Sequence, residues 1–410
     1  MTTALGSRNR TFVLVGGGQA SSVAARTLRR SGYDGKLVVV GDEVDRPYQR
    51  PPLSKEYLES GDASGLELLP EAWTDQQSVE VRTGVRALKV SAPDGGVILD
   101  DGSFIDADAV LLATGARARR LPALDADGVF YLRTRADADA LRAELRPGLH
   151  VVLVGGGFIG AELASVARAQ GAEVTLLEGA EVPLAQAIGR VLGEACSRLQ
   201  RAAGVDVRPN TMVQAVRREA GQLLVTTNRG QVEADLVVVG IGAVPNEEIA
   251  IDSGIAAGNG IRTDEFCRTS VEGVFAAGDV ASQFYPSTGN RLRVEHFDNA
   301  SRQAAVAARN MLGESTPYDE PHWFWSDQFG HNLQYVGHAA PTDRLVVRGD
   351  LEDDHWTAFF LDGDRVSATF ALDSADDIAV ARELIRMRVA VPEKTLSDPE
   401  ADLFEALEEW

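Results

Sequence analysis

Val151-Val152-Leu153-Val154-Gly155-Gly156-Gly157-Phe158-Ile159-Gly160-Ala161-Glu162 is the stretch on which the fold turns. Four apolar residues read as a buried strand, and Ala161–Ala169 then carries small and apolar residues at helical spacing, with Gly171 as its stop. Between strand and helix lies Gly155-x-Gly157-x-x-Gly160. In such a turn the first glycine makes the tight bend, the second lets backbone approach a pyrophosphate, and the third lets helix pack closely on strand. The helix N-terminus then faces the anion. A second strand, Val174–Leu177, ends in Glu178, where an acid takes ribose hydroxyls. Three glycines alone are a weak signal. With strand, helix and acid in register they predict a dinucleotide-binding βαβ unit.

The same pattern occurs earlier in the chain. Phe12–Val15 runs into Gly16-Gly17-Gly18, Ser22–Arg30 reads as a helix stopped near Gly32, and Leu37–Val40 leads to Asp42 and Glu43. Here Gly16-x-Gly18-x-x-Ser21 has serine in the third position, still small enough for helix packing, and Asp42 or Glu43 would take the ribose. Each half has a later strand ending in glycine: Val110–Ala113 with Thr114-Gly115, and Leu236–Val239 with Gly240, followed by Gly242. Gly115, Gly242 and their neighbours Ala113 and Thr114 are counted as cofactor-binding positions. Two such units call for two dinucleotides.

Farther out, Pro317 and Pro321 with Tyr318-Asp319-Glu320 between them mark a linker. Leu345–Arg348, His355–Leu361 and Arg365–Leu372, separated by Asp-Gly and Asp-rich turns, predict a small antiparallel sheet. Asp376–Arg388 then predicts a helix. The fold class is therefore α/β: two Rossmann-like dinucleotide-binding domains plus a small α+β C-terminal domain. A length of 410 residues suits roughly three domains.

Composition narrows the function. The chain has 40 basic and 61 acidic residues, a net charge of −21, which repels phosphate backbones and anionic lipids. No nucleic-acid or membrane partner is expected. Arg291, Arg293, Arg302 and Arg309 lie close in sequence, either as a local basic patch or as arginines scattered over a helix and loop. No apolar run nears the ~20 residues of a membrane-spanning helix. Met1–Arg10 is polar with no signal-peptide core, so a cytoplasmic location is expected. The six histidines show no metal-ligand spacing. Glu178 and Glu181 oppose a 2′-phosphate, with no Arg or Lys between Leu176 and Ala187, so NAD is expected over NADP.

These residues resemble the FAD-dependent pyridine nucleotide reductases. Within them, the resemblance is to the putidaredoxin reductase-like ferredoxin reductases that serve cytochrome P450 and aromatic-ring dioxygenase systems. The marks are Pro47–Lys55, Ala113-Thr114-Gly115, Gly155–Glu162, Val244-Pro245-Asn246, Phe275–Val280, Glu295–Ala300 and Trp323–Gln328. The resemblance implies a glutathione-reductase-like architecture: an FAD domain at 1–115 and 245–318, an inserted NAD domain at 116–244, and a C-terminal domain at 319–410. It implies that Arg50 and Lys55 lie along the flavin, that Asp279 bonds its ribityl chain, and that Glu162 pairs with Lys55 as the catalytic couple. Phe297 stands where many members have Trp. It and Trp325 are expected to contact the flavin, though core packing is an equal reading for Trp323 and Trp325.

Two cysteines, Cys196 and Cys267, form neither CxxC nor CxxxxC, and the Arg50–Lys55 stretch holds none. Both are read as structural. A disulfide relay needs such a pair, so electrons must leave the flavin directly. The expected enzyme passes electrons from NADH through FAD to a [2Fe–2S] ferredoxin feeding a monooxygenase or dioxygenase, as a monomer or weak homodimer. The alternatives are a rubredoxin reductase, or an apoptosis-inducing-factor-like, NADH-responsive flavoprotein with slow turnover.

Overall fold

A computed structural model describes residues 10–91, 95–219 and 221–408. The polar leader Met1–Arg10 thus lies, up to residue 9, outside the described residues. The chain divides into two compact units. The first takes the chain up to Gln49, Ala63–Arg117 and Ala243–Glu320. The second takes Arg50–Asp62, Ala118–Gly242 and everything from Pro321.

The first unit is built on a five-stranded parallel sheet. Its order is Val274–Ala276, Ala109–Leu112, Thr11–Val15, Lys36–Val40, Val79–Arg82. The inner strands are apolar runs because both faces are covered, as parallel sheets require, whereas the edge strand Val79–Arg82 carries Glu80 and Arg82. The helix Gln19–Arg30 covers one face with Ala24, Ala25 and Leu28 fully buried. The helix Phe297–Met311 packs in the same core through Ala304, Ala307 and Ala308.

The second unit repeats this plan. Its parallel sheet runs Asp206–Arg208, Glu173–Leu177, His150–Val154, Leu236–Val239, Val129–Phe130. In both sheets the strand before the glycine turn lies between the acid-ending strand and the later glycine-ending strand, so the internal repeat extends to strand order. The predicted helices extend three residues further toward their N-termini, to Gln19–Arg30 and Phe158–Ala169. Gly32 and Gly171 stand just beyond them at φ +83° and +82°, left-handed C-terminal stops.

From Pro321 the chain forms the expected antiparallel sheet, ordered Trp323–Gln328, His331–Gly337, Arg365–Leu372, Trp356–Asp362, Arg344–Gly349. The helix Ala375–Met387 covers it through Ile378, Ala381 and Leu384. Leu192, Ala195 and Cys196 of the helix Arg190–Ala202 share a core with Leu333, Tyr335 and Phe370 of the sheet. That shared core places the 118–242 segment and the C-terminal segment in one unit.

The stretch Arg50–Asp62, expected from sequence in the FAD domain, groups with the second compact unit. Leu58 is fully buried in the core of the second unit beside Leu141 and Leu163. The Tyr57 hydroxyl donates to Asp139 Oδ1 at 2.7 Å. Apolar burial and this bond hold the stretch there.

Candidate active site

The first glycine turn has the shape its sequence requires. A Cβ on Gly16 would lie 2.1 Å from the Ala113 carbonyl oxygen, whereas one on Gly18 would meet nothing within 4 Å. Gly16 is thus demanded by close backbone approach, and Gly18 opens onto free space. The helix beginning at Gln19 has no side-chain cap and no acid in its first turn, leaving N–H groups and the positive helix end for an anion. Ser21 Oγ and Gln19 Oε1 are buried with no hydrogen-bond partner among the described residues. Asp42 and Glu43 line a cavity with Gly17, Gly41 and Pro47. Asp42 also meets Arg86 at 3.2 Å, and Glu43 accepts the Tyr48 hydroxyl. These features fit a dinucleotide such as FAD.

Two turns complete this side. Thr114 Oγ1 donates to the Asn246 carbonyl at 2.7 Å, and Asn246 Nδ2 returns a bond to the Thr114 carbonyl at 2.9 Å, fixing Ala113-Thr114-Gly115. Gln303 Oε1 accepts the Gly278 N–H at 2.7 Å, setting the turn that carries Asp279. Phe297 opens the helix Phe297–Met311, preceded by His296. Burial lowers the His296 imidazole to a pKa of about 4, with Asp279 and Asp298 opposing the shift. It is neutral at pH 7.

The second glycine turn is drawn tighter. A Cβ on Gly155 would lie 2.3 Å from the Gly240 carbonyl oxygen and one on Gly160 2.2 Å from the Gly155 carbonyl oxygen, while Gly157 faces open space. The helix Phe158–Ala169 again starts without a side-chain cap. Glu178 Oε2 accepts the Gly156 N–H at 2.6 Å and Oε1 accepts the Ala180 N–H at 2.7 Å. The carboxylate is therefore fixed against the glycine turn, where a ribose diol would lie. Glu181 pairs with Arg190 at 3.2 Å, a cation that the local sequence did not bring to this loop. Gly242, at φ +97°, accepts the Arg119 N–H through its carbonyl. The cradle fits NAD.

Lys55 follows the short 3₁₀ turn Pro51–Ser54, and its Nζ lies 3.0 Å from Glu162 Oε1. The two side chains are 14% and 4% exposed. Lys55 Nζ also donates to the Pro51 carbonyl at 3.3 Å. Arg50 Nη1 donates to the Arg133 carbonyl at 2.8 Å. Sequence reasoning missed three further groups. Ser54 Oγ donates to Glu162 Oε2 at 2.5 Å and Ser326 Oγ to Glu162 Oε1 at 2.6 Å. Gln328 Nε2 donates to Ser326 Oγ at 2.8 Å. All three lie inside motif stretches that the sequence singled out, but the Lys and Trp residues beside them drew the reading.

The two tryptophans stand together at the start of the C-terminal sheet. Trp323 packs partly against the C-terminal core and donates its Nε1–H to Gln334 Oε1 at 3.0 Å. Trp325 stacks on it with ring centroids 5.3 Å apart. The arginine group resolves as scattered residues engaged within the fold. Arg291 donates to the carbonyls of Thr263 and Ser282, and Arg293 pairs with Glu295. Arg302 meets Asp298 at 2.8 Å and Arg309 meets Glu314 at 3.9 Å. Both cysteines are free and buried. Burial pushes the Cys196 thiol up to about 12 and raises that of Cys267 as well.

Residues 10–304 match the pyridine nucleotide-disulphide oxidoreductase family, and residues 323–407 match the reductase C-terminal family. The chain is 41% identical to the ferredoxin–NAD(+) reductase component of the anthranilate 1,2-dioxygenase system of Burkholderia cepacia, over 96% of this chain and 98% of that protein. It is 37% identical to rhodocoxin reductase of Rhodococcus erythropolis, over 96% and 93% of the two chains. The covalent putidaredoxin reductase–putidaredoxin complex superposes with a TM-score of 0.95 at 33% identity, covering 98% of this chain and 99% of that one. With two glycine cradles in one chain and these matches over nearly its whole length, the protein belongs to the pyridine nucleotide-disulphide oxidoreductase family.

Proposed function

We propose that the protein is an FAD-dependent NADH:ferredoxin oxidoreductase that delivers electrons to a [2Fe–2S] ferredoxin of a monooxygenase or dioxygenase system. The observation that carries this reading is the pairing of two dinucleotide cradles with two free, buried cysteines whose thiols burial pushes up. Its relatives include reductase components that carry ferredoxin in their names. When bound, FAD supplies the chemistry of accepting a hydride from NADH and releasing electrons one at a time.

The chain's own residues bind and orient. The turn Gly155–Gly160 and the uncapped helix behind it hold the NAD pyrophosphate, and Glu178 takes the adenosine ribose. Lys55 and Glu162 orient the nicotinamide end of NADH for hydride transfer, a step that depends on holding reacting atoms at near-attack distance. The turn at Gly16–Ser21, the Asp42–Glu43 strand end, Ala113–Gly115 and Asp279 hold FAD. In this reading residues 1–115 and 245–318 form the FAD domain, 116–244 the NAD domain and 319–410 the third. It acts in the cytoplasm as a monomer or weak homodimer, without nucleic acid or membrane. The charge of −21 disfavours phosphate backbones and anionic lipid surfaces as partners, and no helix among the described residues is long and apolar enough to cross a membrane.

The test is rapid mixing of the purified yellow protein with NADH, then with a [2Fe–2S] ferredoxin. Fast flavin bleaching followed by ferredoxin reduction is expected. Slow bleaching with a persistent long-wavelength absorbance would instead indicate an NADH-responsive protein of slow turnover, and exclusive reduction of rubredoxin would change the acceptor.

A further inference from the structure

We infer that Ser326 is a positioning residue for hydride transfer, aiming the Glu162 carboxylate, and through it Lys55, by a one-way relay of hydrogen bonds that begins at Gln328. This rests on the role given above to Lys55 and Glu162. A serine hydroxyl has one proton and two lone pairs. Gln328 Nε2 donates to Ser326 Oγ at 2.8 Å, so the single Ser326 proton is left for Glu162 Oε1 at 2.6 Å. Ser54 spends its proton on Oε2 at 2.5 Å, and Lys55 Nζ lies on Oε1 at 3.0 Å. The carboxylate is thus gripped from three directions in a buried setting, where it cannot rotate without losing a donor.

The strand Trp323–Gln328 that presents Ser326 is secured independently. Phe158, Glu162 and Ser165 stand on one face of the helix Phe158–Ala169, spaced i, i+4, i+7. Opposite them, Phe324 meets Phe158 edge-on with centroids 4.7 Å apart, and the Phe329 N–H donates to Ser165 Oγ at 2.7 Å. The aromatic contact and the backbone bond dock the strand without help from the Ser326 hydroxyl. What that hydroxyl adds is directed wholly at Glu162. Hydrogen bonds to a charged group are roughly twice as strong as neutral ones, and small misplacements near reacting atoms cost rate disproportionately.

The experiment compares the FAD-loaded wild type with Ser326→Ala, Ser326→Thr, Gln328→Met and Glu162→Gln. The limiting rate of flavin reduction and the NADH dissociation constant come from rapid mixing. NAD+ affinity comes from calorimetry, and urea unfolding supplies a readout apart from activity. Ser326→Ala is expected to lower the limiting rate about tenfold while moving either affinity less than about twofold, and Ser326→Thr restores it. Gln328→Met slows reduction in the same direction by a smaller factor, and decides the matter if Ser326→Ala does not fold. Ser326→Ala and Glu162→Gln should be non-additive in both reduction rate and unfolding midpoint. A wild-type limiting rate in Ser326→Ala, with Glu162→Gln slow, overturns this inference alone. A wild-type rate in Glu162→Gln overturns the assignment of Glu162 itself.

Discussion

Lys55 Nζ lies 3.0 Å from Glu162 Oε1, and both side chains are largely withdrawn from solvent. Removing one member of a buried pair leaves the other uncompensated, which costs about 3–5 kcal/mol in general. Here Ser54 and Ser326 still donate to Glu162, so Lys55→Met should fall near the low end, about 3 kcal/mol, in urea unfolding. Combining it with Glu162→Gln should recover part of that loss. Flavin reduction by NADH should slow in each single variant, and the double should lose less than the sum. Strictly additive effects on rate and stability would show that the pair does not act as a unit.

Glu178 should set the choice of nucleotide. Opposition between its carboxylate and a 2′-phosphate predicts a preference for NADH of about 1.5–4 kcal/mol, roughly tenfold to several hundredfold in kcat/KM. Because Glu178 also accepts the N–H groups of Gly156 and Ala180, Glu178→Ala should injure NADH turnover as well as improve NADPH. Both effects narrow the ratio. Steady-state assays with the two nucleotides check this, and equal use of both by the wild type would remove Glu178 from the ribose.

The thiols should be silent. With Cys196 pushed up to about 12 and both side chains buried, a chromogenic disulfide should titrate neither cysteine in the native protein and both in denaturant. A Cys196→Ala, Cys267→Ala variant should keep ferredoxin reduction if FAD content is unchanged. Loss of that activity in a folded, FAD-loaded variant would restore a thiol relay.

His296 should make stability depend on pH. Its folded-state value near 4 lies below the ordinary 6.5, and burial is the main cause. Between those values the unfolded chain binds the proton and the folded one does not. The contribution is therefore complete above pH 6.5 and is lost as pH falls toward 4, amounting to about 3 kcal/mol. Urea unfolding at pH 7 and 4.5 should show a steeper decline for the wild type than for His296→Asn. Parallel declines would mean that the imidazole is not held neutral.

The two βαβ units were legible because everything that defines them is local: a run of apolar residues, glycines at fixed offsets, an acid one strand later. The third-domain sheet was legible through alternation and Asp-Gly turns such as Asp362-Gly363. Lys55 and Glu162 were reached only through the family resemblance, since nothing in either neighbourhood points to the other. Ser326 was hidden for the same reason: its role depends on which face of a strand meets which face of a helix. The engagement of Arg302 could have been read from Asp298 four residues earlier. That of Arg291 could not, because its acceptors are distant backbone carbonyls.

The strand Trp323–Gln328, with Phe329 just after it, meets the helix Phe158–Ala169 through an aromatic contact, a hydroxyl and a backbone N–H in succession. Chimeras that exchange third domains between related reductases will therefore inherit or lose a working Glu162 according to two small residues. A donor domain lacking a hydroxyl at the Ser326 position, or a recipient lacking one at Ser165, would graft cleanly by hydrophobic criteria and still turn over poorly. In this chain the seam is held by two hydroxyls as well as by an aromatic pair, so shape matching alone does not make a third domain interchangeable.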